Sequence, residues 1–99
     1  MELDKLVLEI RKKGYNDKEK LMKDLNLLIK EIHNGLKSEI AKAKKANKNV
    51  SDIEKELNRI LDSLKRLREE KQYQTIRNIK FVMDKRGSEA IELLKKLKQ

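Results

Sequence analysis

Lys23, Lys30, Lys37 and Lys44 recur at seven-residue intervals, and the stretch from Lys65 to Gly87 holds eight lysines or arginines against three acids. The same stretch carries Tyr73, one of two tyrosines, and Phe81, the only phenylalanine. Ammonium and guanidinium groups pair with phosphate or carboxylate, and arginine does so through a fork of two parallel donors. A tyrosine beside them offers a flat face on which a base can stack. The residues that fit this chemistry are Lys37, Lys44, Lys65, Arg66, Arg68, Lys71, Tyr73, Arg77, Lys80 and Lys85. No zinc finger, RNA-binding aromatic signature or recognition-helix pair accompanies them, so contact with DNA or RNA would read phosphate and shape rather than base sequence. Phe81, Val82 and Met83 form an apolar run inside the stretch and are the candidate protein interface.

The other chemistries find little support. His33 is the sole histidine, and Ser38, Ser51, Ser63 and Ser88 lie in no nucleophile-elbow context. The chain has no cysteine, which excludes disulfides and thiolate metal sites. Carboxylates such as Glu54, Asp62, Glu69 and Glu70 stand among lysines and arginines and read as helical ion pairs. Gly14, Gly35 and Gly87 are too dispersed for a phosphate-cradling loop. The expectation is therefore a protein with no enzymatic activity, no metal and no cofactor.

The elements that must carry these residues are helices. Leu3, Leu6, Val7 and Ile10 line one side of a short first helix, which Gly14 can end. Asn16 and Glu19 then stand in capping-box positions for a restart. Leu21, Leu25, Leu28, Ile32, Leu36, Ile40 and Ala43 make the stripe of a long second helix reaching to about Asn47, with Lys48 and Asn49 in the following turn. Ser51 and Glu54 repeat the capping-box pattern, with Val50, Ile53, Leu57, Ile60, Leu64 and Leu67 as the apolar stripe of the third helix. A last stripe runs from Ile76 through Ile79, Met83, Ala90, Leu94 and Leu97, with Arg86 and Gly87 where an apolar residue is due. Gly87 there permits a kink, a close helix crossing or a short break.

The pattern predicts an all-α fold, a small up-and-down helical bundle with a short N-terminal helix and three longer helical segments, in a single domain spanning residues 1–99. Residues 72–75 admit two readings. They form a turn capped by Thr75, or they continue one extended helix whose apolar stripe would need a partner, including a second copy of the chain.

Composition sets the outer bounds. With 37% apolar and 43% charged residues and only three aromatics, the core must be thin and built from Leu and Ile. Abundant Lys and Glu without Pro suits a thermophile or an idealised design equally. The net charge of +9 attracts polyanions and acidic partners without naming them. Its placement is uneven. Lys37 to Lys48 has an excess of +4 and Lys65 to Arg86 of +5, together equal to the whole. The alanines among Lys42, Lys44 and Lys45 make a poor insertion face, and no stretch has the length of a membrane span, so stable membrane insertion is not expected. The amino terminus mixes acids and bases from the second residue, unlike a signal peptide, and the expected location is cytoplasmic.

Two function classes follow. The first is a non-catalytic accessory or scaffold protein that binds a protein partner in a larger, nucleic-acid-associated assembly. The alternative is a sequence-nonspecific DNA- or RNA-binding protein using a basic helical face. Geometry separates them: a contiguous basic stripe on the expected lines needs Lys30 or Lys37 beside Lys80 or Lys85, whereas an uncovered apolar strip beside Phe81 would favour a protein partner or homodimer.

Overall fold

The computed structural model describes residues 2–99, which form four α-helices: α1 (Leu3–Lys12), α2 (Lys18–Lys45), α3 (Ser51–Glu69) and α4 (Ile76–Lys98). A single 3-10 turn, Lys71–Tyr73, lies between α3 and α4, and no strand occurs among the described residues. The protein is an all-α small helical bundle.

Each reversal has a local cause. The α2 start is capped by Asp17, not Asn16: the Asp17 carboxylate accepts the Lys20 amide at 3.0 Å. At the other end Asn47 adopts φ 61°, the left-handed conformation asparagine tolerates. The Lys48 amide then returns to the Ala43 carbonyl and the Asn47 amide to Lys44, a Schellman closure that satisfies orphan carbonyls. The expected Ser51 cap does not form. Val50, which is buried, holds the N-cap position, the Asn49 side chain takes the Ser51 amide at 3.1 Å, and Glu54 turns to Lys44 instead. Residues 72–75 make a turn: Gln74 is extended and the Thr75 hydroxyl accepts the Asn78 amide at 3.0 Å, opening α4. The single extended helix is thereby excluded.

Successive helices run antiparallel. Lys18 Nζ donates to the Lys71 carbonyl at one end and Lys48 Nζ to the Gln99 carbonyl at the other. α2 and α4 are parallel and pack closely, α3 lies along one side of that pair, and α1 along the other. The result measures 46 × 23 × 16 Å.

The predicted stripes form the core. Leu21, Leu25, Leu28, Ile32 and Leu36 of α2 meet Ile60 and Leu64 of α3 and Ile79 and Met83 of α4, all fully buried. Each such side chain contributes roughly 1.5–3 kcal/mol by leaving water. No polar or charged residue is buried among the described residues. α4 runs unbroken through Gly87, which is buried beneath Val7 of α1, so the missing side chain marks a close helix crossing and not a break.

α1 is also held at its rim. Arg11 contacts Asp84 through Nε at 3.0 Å and Nη2 at 2.8 Å, an arrangement that raises the guanidinium pKa through the hydrogen bond to Asp84 and its charge. The Lys13 ammonium and the Tyr15 hydroxyl converge on Asp24 at 3.0 and 2.5 Å. Partial burial, then the hydrogen bond to Asp24 and its negative charge, push the Tyr15 phenol well above its ordinary range.

Candidate nucleic-acid interface

The lysine row of α2 is exposed along its whole length, and its position follows from helix arithmetic. A seven-residue step falls about 20° short of two full turns, so the row creeps around the helix as it descends. It creeps toward α3. Lys37 and Lys44 line a groove of about 320 Å³ with Leu57 and Asn58, and Lys44 Nζ reaches Glu54 at 3.3 Å. From Lys23 to Lys44 the row extends about 30 Å at 1.5 Å per residue.

Three of the four α2 acids, Asp24, Glu31 and Glu39, occupy the opposite flank, while Glu19 stays on the lysine side at the start of the helix. Asp24 is bound to Lys13 and Tyr15, while Glu31 and Glu39 border a cleft with Leu3 and Asp4 of α1. The helix is therefore partly polarised: the seven-residue lysine row leans toward α3, while Asp24, Glu31 and Glu39 lie toward α1, where Lys42 pairs with Glu39 at 3.4 Å. Helical spacing already contained this separation, since Asp24, Glu31 and Glu39 keep an offset from the lysines, but the pairing of flanks with neighbours needed the tertiary fold.

α3 adds to the basic flank. Arg68 Nη1 donates to Asn26 of α2 at 2.8 Å. This tie and the Lys44–Glu54 pair fix the antiparallel register, which brings Lys30 opposite Lys65. Lys71 continues the flank at the bundle end, beside Lys18 and Lys23. Of the sequence-predicted residues, Lys37, Lys44, Lys65, Arg68 and Lys71 thus share one flank. Glu19 and Glu54 lie among them and dilute the charge without reversing its sign, while Asp62 lines the α3/α4 groove.

The remaining candidates separate. Arg66 belongs to the α3/α4 side, where a groove of about 590 Å³ also receives Lys55, Arg59 and Arg86. Its charge is partly neutralised: Arg86 pairs with Glu89 at 2.5 Å and donates to Ser63 at 3.1 Å, and Arg59 pairs with Glu56 at 2.9 Å and Glu89 at 3.4 Å. Lys80 turns to α1 and donates to the Lys13 carbonyl at 2.6 Å, across the bundle from Lys37. The lateral alignment of Lys30 or Lys37 with Lys80 that a single merged stripe would need is therefore not formed, because α1 and α3 flank the α2/α4 pair from opposite sides. Arg77, Phe81 and Lys85 succeed one another at four-residue steps on the outer face of α4.

The apolar run Phe81, Val82, Met83 is divided by its own helix. Met83 is 0% exposed and sits in the core, Val82 is half-buried against it, and Phe81 alone stands out at 64%. Met83 is thus corrected from a surface contact to a core residue. Tyr73 is 79% exposed, two residues beyond Lys71. His33 is exposed on α2 with its ring nitrogen 3.3 Å from the Asn34 side chain, and Ser63 has Arg86 as its partner. No cluster of three or more potential metal ligands occurs among the described residues.

Neither a known family, a curated protein nor a solved structure matches the chain. Its geometry must carry the functional reading alone.

Proposed function

We propose that this chain is a non-catalytic nucleic-acid-binding module that holds the phosphate backbone of DNA or RNA along the α2/α3 flank. The polarisation of α2 carries the reading. Four exposed lysines fall on one side with Lys65, Arg68 and Lys71 beside them, and three of the four α2 acids fall on the other, Glu19 remaining with the lysines. Distributed point charges on flexible stems suit a backbone whose phosphates repeat, and they discriminate poorly between base sequences. A cytoplasmic location is part of the proposal. No helix among the described residues is long and apolar enough to cross a membrane.

A second reading is favoured by Phe81. An exposed phenylalanine between Arg77 and Lys85 fits a small apolar hollow rimmed by acids on a protein partner. In that reading the chain is an accessory or scaffold subunit of a nucleic-acid-associated assembly. The exposed large apolar side chains, Leu8, Tyr73 and Phe81, belong to three different elements.

Salt-dependent binding to labelled DNA and RNA, comparing the wild type with Lys30, Lys37 and Lys65 substituted together by alanine, tests the leading reading. Loss of affinity with a flatter salt dependence supports it. An unchanged affinity and slope defeat it.

A further inference from the structure

The basic flank ends in a cleft that charge alone does not explain. The 3-10 turn folds back on the first turns of α2 and borders a shallow, open cleft of about 540 Å³. Its floor is apolar: Met22 is there, 8% exposed, and the methylene stems of Lys18 and Lys23 flank it. Its walls bear hydrogen-bonding groups of both kinds. Asn26 and Gln72 contribute amides, and Glu19 contributes a carboxylate.

Two of these groups are already oriented. The Asn26 carbonyl oxygen accepts Arg68 Nη1 at 2.8 Å, which leaves the NH2 of this cleft-lining residue as its available donor. Lys18 Nζ is fixed on the Lys71 carbonyl at 2.9 Å, which holds the turn against α2. Lys23 and the Lys71 ammonium remain for an anion at the rim. Tyr73, exposed just beyond, supplies an aromatic face.

We propose that this cleft receives an unpaired nucleobase, with the neighbouring phosphates on Lys23 and Lys71, so that the module prefers single-stranded to duplex nucleic acid. The inference rests on the reading of the α2/α3 flank as a phosphate-binding surface. A duplex presents phosphates outward and keeps its bases stacked, so it can use the lysines but not the Met22 floor. A single strand can use both. Glu19 and the amides of Asn26 and Gln72 match the donor and acceptor edges that an unpaired base exposes. Tyr73 provides a stacking partner for the next base, a contact that tolerates any sequence because every base has a π face.

The test compares four probes of matched length at one salt concentration: a single-stranded oligonucleotide, its duplex, an abasic deoxyribose-phosphate strand, and inorganic polyphosphate. The single strand should bind about tenfold tighter than the abasic strand, in line with base-stacking contributions. Gln72→Ala with Tyr73→Ala, both at exposed positions, should remove that preference and leave polyphosphate binding intact. The side-chain amide signals of Asn26 and Gln72 should shift in NMR spectra with the single strand only. Equal affinity for base-bearing and abasic strands, without amide shifts, overturns the cleft assignment and leaves the phosphate-binding reading standing. Failure to bind any of the four probes overturns both.

Discussion

Val7 of α1 rests directly on Gly87 of α4: a Cβ at position 87 would lie 2.7 Å from Val7 Cγ2. Any side chain larger than glycine must therefore move a buried, β-branched residue that has few rotamers to move into. Gly87→Ala should lower stability by about 1 kcal/mol, the overpacking cost outweighing the helix-propensity gain of alanine. In a Val7→Ala background the same change should become neutral or stabilising. Urea denaturation of the four proteins in this double-mutant cycle checks it, and additivity would show that the contact does not limit packing.

The same substitution at Gly35 should have the opposite sign. Gly35 is exposed inside α2 and a Cβ there meets nothing within 4 Å. Gly35→Ala should stabilise the protein by up to about 1 kcal/mol, read as an increase in the urea midpoint.

Met83 and Phe81 provide a contrast two residues apart on α4. Met83→Asp places an unpaired charge in the core and should cost on the order of 4 kcal/mol or more. Phe81→Ser removes an exposed side chain and should change stability by no more than about 0.5 kcal/mol. Thermal unfolding of both variants decides whether the division of this apolar run is as described.

Tyr15 and Asp24 make stability depend on pH in the alkaline range. The folded state raises the phenol pKa, so it retains the Tyr15 proton more tightly than the unfolded chain, where the ordinary value is about 10. The contribution is fully present below about pH 10 and is lost as pH rises above it, because a phenolate would face the Asp24 carboxylate. Tyr15→Phe should lower stability at neutral pH and flatten its decline between about pH 10 and 12 relative to the wild type. An identical pH profile for the two proteins would contradict the hydrogen bond.

Much of the bundle was legible in the apolar spacing. Leu25, Leu28, Ile32 and Leu36 announce the core side of α2 because helix period alone decides which residues share a face. Caps were less legible, since neighbouring polar residues compete for one position. Asp17 displaced Asn16, and burial of Val50 at the start of α3 took the place of a Ser51 cap. The lysine row was visible as a seven-residue repeat. The division of Lys65 to Arg86 among three surfaces was not, because the facing of Arg66, Arg77 and Lys80 depends on how the chain reverses between Glu70 and Thr75. The Met22 cleft lay further out of reach: it unites residues from α2 and the 3-10 turn that only the antiparallel register brings together.

The central claim is that phosphate binding resides on the α2/α3 flank, and a salt titration of oligonucleotide affinity tests it most directly. Each lysine–phosphate contact removed should reduce the slope of log K against log salt by about 0.7 to 0.9. Lys30→Ala, Lys37→Ala and Lys65→Ala combined should therefore flatten the slope by roughly 2 to 3 and weaken binding. Arg77→Ala with Lys85→Ala, on the outer face of α4, should leave the slope close to that of the wild type. A flank variant indistinguishable from the wild type, or a larger loss from the α4 variant, would contradict the account.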